Sequence, residues 1–437
     1  MFLNKGFFDF PVDVLKGNIM IIGRAARFVA ILSLVFCPSL SGAEELARSG
    51  SYDIVPGYVQ TELGYSDTMF DRQENVTNKI SLALRARQSG ILQTNRLYLG
   101  GRFTGTVISE HTNTAGKFPI LSRLPPSHAA GTSDTYGVVN DVSLNATLAL
   151  PMVTAFIQGE YTEVEYPGQD STQLRKYWIA IGDLNRAPVY LAIGRKTVNF
   201  GDFATYAPFT HSHSGHYFWA QTEDPLIELG YLTDRTELAL SLIPAHRGLR
   251  VVSSTDNDGD YDNFAVNGSH RLDLGNGMRL KLGVGYLRGT IYDSAIAYHP
   301  PSTGNNRVWN GAYDANVTLS GENFDVMGEF TQTANAWPAT GHKVTAVTLQ
   351  GRYRSNLIGR PAVYSLSASR GTQGASGTQW EKMDQVILGL EVDVTKHVKI
   401  GAEYLYNDGF VPLITPTVIS DAGVTSHTLI FGAKLTF

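Results

Sequence analysis

The chain has 437 residues, a net charge of −5, 17% charged residues, 11% aromatic residues and 44 glycines. This balance offers no basic surface for nucleic acid, and it carries less charge and more glycine than a helix-rich soluble enzyme. Cys37 is the only cysteine, so any chain cleaved after it has no disulfide, thiolate metal site or cysteine nucleophile.

The first elements read as a targeting segment. Arg24 and Arg27 precede the apolar run from Phe28 to Cys37, Pro38 breaks it, and Ser41-Gly42-Ala43 supplies a small-x-small cleavage site. Residues 1–43 are therefore expected to be a signal peptide, with Met20 a plausible true start. The run is too short to cross a bilayer, and no stretch of 18 apolar residues follows it.

From residue 50 onward a two-residue period recurs. A first strand is expected near Pro56–Tyr65. Ile80, Leu82, Leu84 and Ala86 then alternate with Ser81, Ala83, Arg85 and Arg87; Leu97, Leu99 and Phe103 with Tyr98, Arg102 and Thr104. The same alternation runs through 141–148, 309–319 and 386–394. This period places one set of side chains on each face of a sheet. Short connections (150–151, 184–186, 274–277, 320–323, 394–397) interleave with long ones near 111–135, 200–222, 245–258, 293–307, 371–381 and 408–423. Tight turns on one side and longer loops on the other predict an all-β, single transmembrane antiparallel barrel of about 18 strands, with 16 possible. Strand signals begin soon after the cleavage site, so no plug domain is expected, and the barrel takes up residues 44–437.

On this alternation the lumen receives Arg85, Arg87, Arg102, Arg271, Arg279, Lys281, Arg352 and Arg354, together with Asp141, Glu160, Asp314, Asp325, Glu329, Glu391, Asp393 and Glu403. Barrels of this size enclose water, and charged rings in them select solutes. The grouping of cations and acids suggests a field across the channel, although polar side chains also line any wet lumen. The 200–222 stretch carries Tyr206, Phe209, His211, His213, His216 and Trp219. The H-x-H-x-x-H spacing could ligate a transition metal; a loop folded into the lumen as an aromatic constriction accounts for the same residues. Asp256–Asn263 is acidic like a calcium loop, but Tyr261 stands where the turn glycine belongs, which favours a solvated external loop. No G-x-S-x-G, H-E-x-x-H or paired nucleophile and base is present, so neither an enzyme nor a resident cofactor is expected.

The chain ends Leu429-Ile430-Phe431-Gly432-Ala433-Lys434-Leu435-Thr436-Phe437, apolar at every second position, with Lys434 and Thr436 expected to face the lumen. This ending resembles the terminal signal by which outer-membrane barrels reach their assembly machinery. The stretch Tyr190 to Phe203, a strand ending in Gly194-Arg195-Lys196 and then Phe200-Gly201 before a long loop, resembles the porin superfamily and, more narrowly, the LbtU-type siderophore porin family. The resemblance implies a bacterial outer-membrane protein among lipid and lipopolysaccharide that takes up a small solute such as a ferric siderophore without a plug, with a homotrimer possible. It transfers no ligand-contacting residue. A general or anion-leaning diffusion porin, a surface adhesin or structural barrel, and, with least support, a lipid-acting hydrolase are the competing readings.

Overall fold

A computed structural model describes residues 51–55, 57–70, 78–118, 127, 129–163, 171–222, 224–244, 261–293, 309–338, 340–377, 381–409 and 423–437. The expected signal peptide and Asp256–Asp260 of the acidic loop lie outside the described residues.

Sixteen strands close the barrel: β3 (Arg96–Thr112), β4 (Ser133–Ala149), β5 (Val153–Tyr161), β6 (Thr172–Ile181), β7 (Val189–Arg195), β8 (Leu226–Leu232), β9 (Thr236–Ile243), β10 (Asn263–Gly275), β11 (Met278–Leu287), β12 (Ala312–Ser320), β13 (Phe324–Thr333), β14 (Thr345–Leu357), β15 (Arg360–Thr372), β16 (Met383–Asp393), β17 (Val398–Asp408) and β18 (Thr425–Thr436). Each pairs antiparallel with the next, and β18 returns to β3 with Ile430 opposite Ile108 and Lys434 opposite Thr104. Closure leaves no ladder edge open to lipid, where an unpaired backbone group costs several kcal/mol. Two further strands, β1 (Ser51–Val55) and β2 (Val59–Glu62), form a hairpin that touches β3 through two parallel residue pairs.

The alternation sorts side chains by medium. Leu144, Ile157, Ile193, Leu229, Val284, Leu349, Leu366, Leu388 and Phe431 point outward and are exposed. Thr106, Asn145, Gln158, Ser241, Asn316, Gln350 and Thr428 point inward and are buried. An apolar belt of this extent requires a hydrocarbon surrounding. Outward tyrosines flank it: Tyr231, Tyr353 and Tyr364 toward the short turns, and Tyr286, Tyr313, Tyr404 and Tyr406 toward the long loops. Tyr286 and Tyr313 lie with ring centroids 5.0 Å apart. Lys434 and Thr436 face inward on β18, as their place in the alternation requires.

Two parts of the early chain differ from the sequence reading. Strand pairing ends at Glu62, and Leu63–Phe70 is a helix, α1. Lys79–Gln88, which alternates like a strand, is a second helix, α2. Ile80, Ala83 and Leu84 also satisfy the three-and-four spacing of a helix, because alanine serves either face. Asn78 caps the start by accepting from the Ser81 N–H at 3.0 Å, and Gly90, at φ +80°, turns the chain at the end. The helices pack Tyr65, Met69, Ile80, Ala83 and Leu84 against Tyr98, Phe156, Trp178, Tyr190 and Leu232 of the inner wall. They are a short intralumenal segment, not a plug domain.

An arginine at an outward mid-strand position tests the membrane face. Leu366→Arg is expected to destabilise the barrel by about 2–4 kcal/mol in lipid vesicles, read from denaturant unfolding.

Candidate functional site

The connection between β7 and β8 folds inside the barrel. Its neck is closed by the Val198 N–H bond to the Ala220 carbonyl (2.9 Å) and by a bridge between Thr197 and Gln221. Lys196 is ion-paired to Glu228, with side chains 3% and 0% exposed. The Tyr190 (2.7 Å) and Ser241 (2.8 Å) hydroxyls also donate to Glu228, so a buried carboxylate meets a full set of donors.

Beyond the neck, wall side chains receive the loop backbone. Glu329 accepts from the Asp202 and Phe203 N–H groups at 3.0 and 2.9 Å, and Gln350 Oε1 from Tyr206 N–H at 3.1 Å. Glu403 accepts from Phe209 N–H, from Thr210 N–H at 3.2 Å and from the Thr210 hydroxyl. Each is a charge-assisted or amide contact in a buried setting, worth about 1–3 kcal/mol. Wall glycines supply the space. A Cβ on Gly389 would stand 2.6 Å from Pro208 Cδ, and one on Gly432 would stand 2.6 Å from the Phe209 ring. The loop then forms a short helix, α3 (His213–Phe218), capped by Ser212 and tied by the Ser214 hydroxyl to that of Thr348 at 2.8 Å.

These contacts decide what each expected pore residue does. Glu329 and Glu403 bind the loop and are buried beneath it. Asp314 accepts from Asn316 and Thr331, each at 2.7 Å. Arg87, read as lining a strand, sits on α2 and donates to Thr154 Oγ1 and the Pro151 and Gly182 carbonyls, stapling the helix to the short turns. Glu160 and Asp141 are buried on the inner wall, Glu160 beside Ser143. Asp393 lies inward near the β16 end. Of the loop residues, Phe209, His211, His213, His216 and Trp219 are buried, with Arg175 5.9 Å over the Trp219 ring. Among the described residues, no three His, Cys, Asp or Glu side chains converge as a metal site.

Tyr206 faces an open compartment between the loop and the short turns. Three adjoining cavities share lining residues there: one reaches α2 at Ser81 and Arg85, one lies against β10–β14, and one reaches α1 at Asp67. Together they expose eight cations, Arg85, Arg102, Arg271, Arg279, Lys281, Arg352, Lys399 and Lys434, against five acids, Asp67, Asp202, Glu237, Asp325 and Glu391, a surplus of three positive charges. Sequence reasoning missed Lys399 and Asp67, which pair at 2.8 Å and tie α1 to β17. Burial favours the neutral form of Asp67, but Lys399, Arg102 and Lys434 outweigh it and hold the carboxyl below its ordinary range. Arg85 and Arg271 both reach Glu237 at 3.0 Å, tying α2 to β9 and β10. Arg352 stacks 4.4 Å over Tyr206 and bonds Asp325 at 2.7 Å. The sequence suggested a field across the channel. In the structure Arg352 on β14 lies in register with Asp325 on β13, so cation and acid alternate locally on this part of the wall.

Among solved structures the barrel is similar to the anion-selective porin from Comamonas acidovorans, at TM-score 0.51 and 13% identity over 78% of this chain and 99% of that one. The chain has the fold of an outer-membrane porin. Its place is the bacterial outer membrane, where the apolar belt and closed ladder have the hydrocarbon they need. Salmonella typhi OmpF in complex with daunomycin and the DcaP channel of Acinetobacter baumannii each align at TM-score 0.49 and 14% identity, over 78% of this chain and 97% of theirs. No family model matches the chain, and no curated protein matches it.

Two measurements test loop docking. Glu403→Ala removes the acceptor for Phe209 and Thr210 and is expected to raise single-channel conductance and expose 203–212 to protease; unchanged cleavage would refute the anchor. His213 is buried with Nε2 unbonded, and burial pushes its pKa down to about 4 against a smaller opposing pull from Asp384. The docked state therefore binds fewer protons than the undocked one, so docking weakens as pH falls from about 6.5 through about 4. An NMR titration should show the His213 ring neutral at pH 5, and protease exposure of the loop should rise between pH 5 and 4.

Proposed function

We propose that the protein is a passive, non-enzymatic outer-membrane channel that favours anionic solutes. The observation that carries this reading is the cationic surplus of the compartment under Tyr206, set where the loop and the two helices narrow the lumen. Fixed positive charge beside a low-dielectric wall raises the local concentration of anions and lowers their barrier to entry. The buried Glu329 and Glu403 are held in backbone hydrogen bonds, so the compartment is not lined by the acids of the next level up the strands. The likeness in fold to an anion-selective porin supports the same preference. The apolar belt suits lipid, with lipopolysaccharide at the long-loop side.

The resemblance of Tyr190 to Phe203 supports a narrower reading, in which the anionic cargo is a ferric siderophore complex of net negative charge. Iron-limited growth of a deletion strain supplied with purified siderophore separates the two. Equal growth and uptake in mutant and parent would remove the siderophore and leave the anion channel in place.

Reversal potentials in a KCl gradient test the broader reading. Chloride is expected to be preferred over potassium, and the Arg271→Gln, Arg279→Gln double variant should lower the ratio several-fold. A potassium preference in the unmodified protein would overturn the proposal, and absence of any conductance would favour a structural barrel.

A further inference from the structure

Within the compartment, one cavity is built differently from a wall that is merely positive. Arg271, Arg279, Lys281 and Arg352 line it under Tyr206, with the Thr318 and Ser320 hydroxyls between them. Its two carboxylates are both engaged: Asp202 by Lys281, and Asp325 by Arg352 and Arg354. Glu237 holds Arg271 from the side. Arg279 is exposed and has no carboxylate partner among the described residues. Its register neighbour on β10, Asp273, is bound instead to Arg235 at 3.1 Å, and its neighbour on β12 is Ser320.

Four cations and two carboxylates leave the cavity two positive charges in excess. We propose that this cavity is a saturable binding site for a dianionic or more highly charged solute bearing phosphate or carboxylate groups, a step that rests on the anion-channel reading above. Three of the cations are held by their own acids or by the Tyr206 ring, so the donors are arranged before the solute arrives and little ordering is lost on binding. Arginine presents paired N–H donors that match the oxygens of phosphate or carboxylate, whereas chloride takes up no such geometry. Arg279, free of an acid, is the group that commits to the ligand. The hydroxyls of Thr318 and Ser320 supply neutral donors for the remaining oxygens.

The test is block of the KCl current through single channels in planar bilayers, with pyrophosphate, citrate and acetate as probes. Pyrophosphate or citrate should block saturably at a concentration at least tenfold below acetate, and whichever acts lower identifies the preferred head group. Arg279→Ala should raise the half-blocking concentration about tenfold or more, and Arg279→Lys, which keeps the charge and loses the paired donors, should fall between. Arg186→Ala, on an exposed turn outside the lumen, removes a charge of the same sign and should leave block unchanged. Equal block by all three probes, or block insensitive to Arg279→Ala, would overturn the site. If block is absent while chloride preference persists, only the site fails; if chloride preference is itself absent, the channel reading beneath it fails.

Discussion

The interior of this barrel depends on carboxylates that accept hydrogen bonds from the backbone of an inward-folded loop. A loop inside a lumen must find partners for its N–H groups, because water cannot reach all of them and an unpaired one costs about 1–3 kcal/mol. Glu329 and Glu403, with Gln350 between them, supply those partners from the wall, and the inward glycines at 389 and 432 let the loop lie close enough to reach them. The Lys196–Glu228 pair closes the neck at the other side. These acceptors act together with the burial of Phe200, Phe203, Tyr217 and Phe218 against the wall to hold the segment in the lumen.

The same interaction shapes the electrostatics. Glu329 and Glu403 are engaged by the loop one level further along the strands and do not balance the arginines of β10, β11 and β14. The cations nearer the short turns keep a surplus, and the acids beside them, Asp202, Asp325, Glu237 and Glu391, are already paired. The helices α1 and α2 enter the same network through Asp67 and Arg85, so the narrowing elements and the charged wall are mechanically linked. The positive surplus and the narrowing of the lumen therefore rest on one set of contacts.

Much of the barrel was legible because lipid and water impose opposite demands on the two faces of every strand. β18 is the clearest case: its outward Leu429 and Phe431 and inward Lys434 and Thr436 follow directly from alternation. The turn at Ile358-Gly359 was not legible, since isoleucine carries no turn signal; here it sits at φ +52°, 94% exposed, where closing the β14–β15 hairpin overrides its preference. Helix α2 was misread because alanine and arginine satisfy either period over eight residues. Only the Asn78 cap and the helix-forming composition could have argued otherwise.

The sequence by itself determined the architecture, which medium each strand face meets, and the presence of an aromatic-rich segment between β7 and β8. A two-residue period is local, and every residue carries its share of that signal. Tertiary structure alone decided which inward charges face solvent. Glu329, Glu403, Arg87 and Arg279 read alike as polar positions on alternating segments. One pair anchors a loop, one arginine staples a helix and the other stands free in a cavity, because those roles depend on neighbours from other strands and from the loop that only the folded barrel brings together.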